Sequence, residues 1–118
     1  MKRIVLIEDD AGLQASLPLI FDKALYSVDV YANGVPVLNG SHKTASLYII
    51  DRQLAGADGL DICRFLKSKP TTANVPIIML SASPNVRPLS LLAGADAMLE
   101  KPFKMQELRE LVDKLLAE

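Results

Sequence analysis

Leu47-Tyr48-Ile49-Ile50-Asp51 is a run of four apolar residues, two of them β-branched, that leads straight into a carboxylate. An apolar run without polar alternation predicts a strand covered on both faces, as in a parallel sheet. A charge at its end then sits on the carboxyl edge, where open α/β sheets bind ligands. The same form recurs along the chain. Ile4-Val5-Leu6-Ile7 ends in Glu8-Asp9-Asp10, and Val75-Pro76-Ile77-Ile78-Met79-Leu80 ends at Ser81, with Pro76 tolerable near a strand start. Ala97-Met98-Leu99-Glu100 is a shorter version ending at Lys101-Pro102. Val28-Asp29-Val30-Tyr31 alternates, which places it nearer a sheet edge.

Helical spacing fills the intervals. Leu13, Leu17, Ile20, Phe21 and Ala24 predict a helix over 11–25, kinked at Pro18 or starting late because of it. Val35 to Gly40 is weakly helical after the Asn33-Gly34 turn signal. Leu60, Cys63, Phe65 and Leu66 predict a helix to Lys69, stopped by Pro70. The span 84–92 carries two prolines and predicts a short or irregular helix, and Ala93-Gly94-Ala95 suits its C-cap. Leu108, Leu111, Val112, Leu115 and Leu116 define a last amphipathic helix. Five strand–helix alternations with short connections predict an α/β fold of (βα)5 type, a doubly wound five-stranded parallel sheet with helices on both faces.

Composition limits what such a sheet can do. At 118 residues, 50% hydrophobic and 23% charged, residues 1–118 are expected to form a single globular domain. A net charge of -1 shows no basic excess, so no direct nucleic-acid binding is expected. The lone Cys63 cannot form an internal disulfide, which favours a reducing, cytoplasmic setting. No apolar run is long enough for a signal peptide or membrane insertion. There is no glycine-rich phosphate loop, so a bound nucleotide is not indicated.

A parallel sheet gathers Glu8, Asp9, Asp10, Asp51, Ser81 and Lys101 on one edge. Crowded acids repel one another unless a cation intervenes. Mg²⁺ suits them, being a hard ion that takes carboxylates, waters and phosphate oxygens. Carboxylates, a hydroxyl and a lysine together form a phosphoryl-transfer set in which one carboxylate can be the nucleophile. Ser81 can donate a hydrogen bond to a phosphoryl oxygen.

With Glu8-Asp9-Asp10, Asp51, Asp58-Gly59, Ser81-Ala82, Ala93-Gly94-Ala95 and Lys101-Pro102-Phe103 in this order, the whole chain resembles a response-regulator receiver domain. This is the CheY-like family of two-component signalling. The resemblance implies a flavodoxin-like, CheY-like three-layer sandwich. It implies that Asp51 accepts a phosphoryl group from the phosphohistidine of a sensor histidine kinase or phosphotransfer protein. It further implies Mg²⁺ held by Glu8, Asp9, Asp51 and the backbone carbonyl of Gln53, with Ser81 as switch hydroxyl, Lys101 as phosphate partner and a cis Lys101-Pro102 bond. The implied role is signalling, not turnover of an external substrate. The partner on the output side is an effector protein or an output domain beyond Glu118; both are open, as is a homodimer.

Three departures stand out. Ala55 replaces the family's usual proline. Met98 replaces the usual Tyr or Phe three residues before the lysine, so no phenolic hydroxyl is available there. The interval from Ser81 to Lys101 is short and holds Pro84 and Pro88, which predicts a shortened or displaced fourth helix.

Plainer roles compete at several positions. Asp10 and Asp58 suit helix caps. Glu8 reaches a metal directly or through water. Cys63 suits the core, His42 a solvated loop, and Asp61 and Arg64 an exposed helix face. Two other functions compete with this one. One is a receiver-like scaffold acting by protein–protein interaction without phosphorylation. The other is an aspartyl phosphatase of the haloacid-dehalogenase type, which needs a first-strand nucleophile with a second Asp two positions on; Glu8-Asp9-Asp10 lacks that pattern.

Overall fold

A computed structural model describes residues 1–83 and 86–117, with only the backbone of 86 and 87. Pro84, one of the two prolines expected to shorten the fourth helix, lies outside the described residues. The strands are β1 Lys2–Ile7, β2 Tyr26–Tyr31, β3 Leu47–Asp51, β4 Ile77–Ser81 and β5 Ala97–Glu100. They form one sheet in the order β2-β1-β3-β4-β5, every pairing parallel. The helices are α1 Ala11–Ser16, α2 Val35–Leu38, α3 Gly59–Ser68, α4 Val86–Leu92 and α5 Met105–Leu115. The strand order reverses direction between β1 and β3. Connections leave this point toward opposite faces, and a crevice opens at the carboxyl ends of those two strands.

Strand alternation sorts the core. Val5, Ile7, Tyr48, Ile50, Ile77 and Met79 pack with Leu60, Ile62, Cys63 and Leu66 of α3. Ile4, Leu6, Leu47, Ile49, Ile78 and Leu80 pack on the other face with Leu17, Phe21, Leu108 and Val112. All five residues of β3 and of β4 are buried, as two-face burial requires of their unbroken apolar runs. The alternating β2 lies at the edge.

The first helix is shorter than its spacing predicts. It ends at Ser16 and tightens into a 3-10 turn over Leu17–Ile20, with Pro18 in its first turn. Proline has no N–H for the α-helical ladder, and its ring presses on the preceding turn. The chain neither kinks nor resumes the helix. Leu17 and Phe21 still reach the core.

Two further readings change. His42 is not a solvated loop residue: its Nε2 pairs with the hydroxyl of Tyr48, which is fully buried on β3 and needs a partner for that hydroxyl. In α3 the buried stripe includes Ile62, while Phe65 is only partly buried, with Lys69 Nζ 5.2 Å from its ring centroid. Asp10 and Asp58 do cap helices, accepting from Gly12 N and Leu60 N at 2.9 Å. Cys63 is in the core. Asp61 and Arg64 pair on the exposed face of α3. The fourth helix is short, seven residues, and carries the buried Ser90 hydroxyl without a hydrogen-bond partner.

Gly59 fixes how α3 meets the sheet. A Cβ there would lie 2.3 Å from the carbonyl oxygen of Asp51 and 2.8 Å from Arg52 Cα. Both are backbone atoms, so no side chain can rotate away. Gly59→Ala is expected to cost about 3 kcal/mol, the upper end for forced overpacking. Thermal melts check this, and an unchanged Tm would contradict it.

Candidate functional site

The register sets the site. Ile7 aligns with Ile50, so Glu8 follows beside Asp51. Asp51 aligns with Leu80, and Ser81 with Glu100, so Ser81 and Lys101 each lie one step further out. Alternation sets direction. Glu8 continues the face of Ile4 and Leu6, Asp51 that of Leu47 and Ile49, and Lys101 that of Ala97 and Leu99, all on the side of α5. Ser81 continues the face of Ile77 and Met79, the side of α3.

The contacts follow this division. Lys101 Nζ lies 3.0 Å from Glu8 Oε1 and 3.2 Å from Asp51 Oδ2. The Glu8 side chain is fully buried and that of Asp51 nearly so. Asp51 Oδ1 accepts from Gln53 N at 3.2 Å, and Glu8 Oε2 from Asp10 N at 3.3 Å. The peptide between Lys101 and Pro102 is cis, as the resemblance implies. Ser81 is fully buried, and Lys101 N donates to its carbonyl at 2.7 Å. The Ser81 hydroxyl is held by Gln53, whose Nε2 donates to Oγ at 2.9 Å, and by the Ser83 N–H at 3.0 Å.

Charge is unbalanced here. Burial pushes the Glu8 carboxyl up to about 7; contact with Asp51 adds to this and Lys101 opposes it. Burial works against the Lys101 ammonium, yet its hydrogen bond to Glu8 and the charge of Asp51 outweigh this and raise its pKa. Glu8, Asp9 and Asp51 each present one oxygen, all within 4.8 Å of one another. Three carboxylates facing one lysine are a hard-oxygen set short of positive charge, which fits a small divalent cation.

Two features of the site are not visible in the sequence. Asp9 is exposed, and its Oδ2 accepts from Ala55 N at 3.2 Å. That donor exists because residue 55 is not proline, which has no N–H. The second is the Gln53 side chain: beyond the backbone carbonyl that the resemblance assigns to the metal, the carboxamide bridges two loops, accepting from Ala82 N at 3.2 Å as well as donating to Ser81. Met98, at the usual aromatic position, is already packed inward, 8% exposed.

The family model for the response regulator receiver domain matches residues 4–113. The alkaline phosphatase synthesis transcriptional regulatory protein SphR of Synechococcus elongatus is 36% identical, over 90% of this chain and 45% of its own length. The chain spans about half the length of such curated relatives. Among solved structures, a response regulator from Chloroflexus aurantiacus superposes with TM-score 0.89 at 31% identity, over 99% of this chain and 98% of its own. TrrA of Thermotoga maritima, solved in complex with Mg²⁺ and BeF, gives 0.84 at 32% identity, over 98% and 100%. With five strands in the order 2-1-3-4-5 and an acid cluster at their switch point, the chain belongs to the response regulator receiver domain family.

Proposed function

We propose that residues 1–118 form one receiver unit in which Asp51 accepts a phosphoryl group from a phosphohistidine of a sensor histidine kinase or phosphotransfer protein. The observation that carries this is the Asp51 carboxylate: buried at the switch point, paired through Oδ2 with Lys101, and flanked by Glu8 and Asp9. An Asp51 oxygen forms a bond to phosphorus as the phosphorus–nitrogen bond to the donor histidine breaks, and that nitrogen keeps the electron pair. The Lys101 ammonium pairs with charge on the transferred oxygens, and the Ser81 hydroxyl donates a hydrogen bond to one of them. Glu8, Asp9, Asp51 and the Gln53 carbonyl would hold Mg²⁺, which when bound would supply further positive charge against the phosphoryl oxygens. The same site returns the group to water, so the chemistry is self-directed and no external substrate is turned over.

Loading alters partner contacts, with an effector protein or an output domain in the same gene product as receiver of the signal. A cytoplasmic location suits a kinase-facing domain; among the described residues no helix is long and apolar enough to cross a membrane. Met98, packed inward and without a hydroxyl, keeps a second reading in view: a scaffold that binds its partner regardless of phosphorylation.

Intact-mass analysis after treatment with a small acyl phosphate and Mg²⁺ tests the proposal. A Mg²⁺-dependent phosphoryl adduct mapped to Asp51 is expected. A short-lived adduct is caught by beryllofluoride, read by fluorine NMR. No adduct and no beryllofluoride resonance would sink the reading. Partner affinity that ignores loading would favour the scaffold.

A further inference from the structure

We propose that the Gln53 carboxamide is a positioning group that clamps Ser81 and Ala82 to the loop after Asp51, and that loading of Asp51 reaches the chain beyond β4 through this clamp. The inference rests on the phosphoacceptor reading of Asp51.

Gln53 touches both sides of the crevice. Its backbone N–H donates to Asp51 Oδ1 at 3.2 Å. Its side chain donates through Nε2 to Ser81 Oγ at 2.9 Å and accepts at Oε1 from Ala82 N at 3.2 Å. A carboxamide is suited to this because it carries a donor and an acceptor on one planar group. Asparagine, one methylene shorter, would not span the same gap.

The clamp also sets the polarity of Ser81. A hydroxyl has two acceptor lone pairs and one proton. Gln53 Nε2 and Ser83 N take the two lone pairs, so the capacity left to the buried hydroxyl is donation. That is the capacity a phosphoryl oxygen requires. Ser81 faces the α3 side by strand alternation, away from Glu8 and Lys101, and Gln53 is the residue that links it to Asp51.

The link continues down the chain. Ala82 and Ser83 are the first residues after β4, on the way to α4. A group added to Asp51 changes what Gln53 N–H faces at Oδ1, and the carboxamide of the same residue transmits the change to Ser81 Oγ and Ala82 N. Met98 is already inward and has no hydroxyl to exchange, and the Gln53 carboxamide makes a polar connection between these loops.

The side chain can be changed without touching the core, because Gln53 is exposed, and every variant keeps the backbone carbonyl assigned to the cation. Gln53→Leu removes both hydrogen bonds. Gln53→Glu keeps an acceptor for Ala82 N but turns the Ser81 proton toward the new carboxylate. Amide NMR of Ala82 and Ser83 is recorded without ligand and with Mg²⁺ and beryllofluoride, with fluorine NMR reporting binding. In the wild type, loading is expected to shift both amides. In Gln53→Leu, both amides are expected to be displaced before loading, and the loading shift to fall several-fold although beryllofluoride still binds. In Gln53→Glu, the Ala82 amide is expected to stay near its wild-type position while beryllofluoride dissociates faster. A role confined to packing would move the two variants alike. Unloaded Gln53→Leu amides that coincide with wild type, or a full loading shift in that variant, overturn the inference alone. Failure of the wild type to bind beryllofluoride overturns the phosphoacceptor reading, and this inference with it.

Discussion

Asp51→Asn is expected to abolish phosphoryl loading and, in the same molecule, to make the unloaded fold less sensitive to pH. The first effect follows from chemistry: an uncharged amide nitrogen and oxygen replace the nucleophilic carboxylate, with almost no change in shape. The second follows from Glu8, whose carboxyl sits at about 7 because of burial first and Asp51 second. A carboxyl with a raised folded-state pKa binds its proton more tightly folded than unfolded. Its contribution to stability is complete below the ordinary value of 4.5 and is lost as pH rises through about 7. In chelator, the wild type should therefore lose Tm between about pH 5 and about pH 8. Asp51→Asn removes the second cause and leaves burial, so the decline persists with a shallower slope. Melting curves across that range measure both slopes. Equal slopes would show that Asp51 does not act on Glu8, and an adduct on the variant would place the phosphoacceptor elsewhere.

The parts of this molecule that the sequence exposes are those in which a residue's type alone fixes its surroundings. Ile4–Ile7, Leu47–Ile50 and Ile77–Leu80 have no polar face, so they must be covered on both sides, and the parallel sheet follows. Once the sheet is parallel, the residues after those runs share an edge. Glu8, Asp51 and Lys101 come together for that reason, and their contacts of 3.0 and 3.2 Å add only distance to an arrangement already implied. What stayed hidden depends on pairing choices that residue type leaves open. Pro18 permits a kink, a late start or a 3-10 ending, and packing of Leu17 and Phe21 selects the last. His42 reads as loop because the hydroxyl that holds it, on Tyr48, sits within an otherwise apolar strand. Gln53 has an exposed side chain in a polar loop, and its register with Ser81 is fixed only once β3 and β4 are paired. The Ala55 amide matters only through a neighbour, Asp9, far away in the chain.

Lys101→Met is expected to destabilise the unloaded fold. Lys101 is the cation that lies against both Glu8 and Asp51. Met keeps an apolar stem of similar length, so the variant removes charge more than packing. Two buried carboxylates then face each other without it. Removing one partner of a buried ion pair costs on the order of 3–5 kcal/mol. Lys101 is 22% exposed, so water reaches one side and the lower end, about 3 kcal/mol, is appropriate. For a domain of this size that is roughly 10 °C in Tm. The loss should be smaller near pH 5, where Glu8 takes up a proton, and should grow as pH rises through about 7. Added Mg²⁺ should recover part of it, since the same carboxylates are its proposed ligands. The measurement is Tm in chelator at about pH 5 and about pH 8, repeated with Mg²⁺. A loss equal at both pH values would mean that Met fits badly, not that charge is uncompensated. The double variant Asp51→Asn with Lys101→Met separates these further: with one carboxylate neutral, the lysine has less to compensate, so the two effects must not add. Strict additivity would mean that Lys101 and Asp51 are neighbours without being an electrostatic unit, and the case for Lys101 as the partner of charge developing at Asp51 would fall with it.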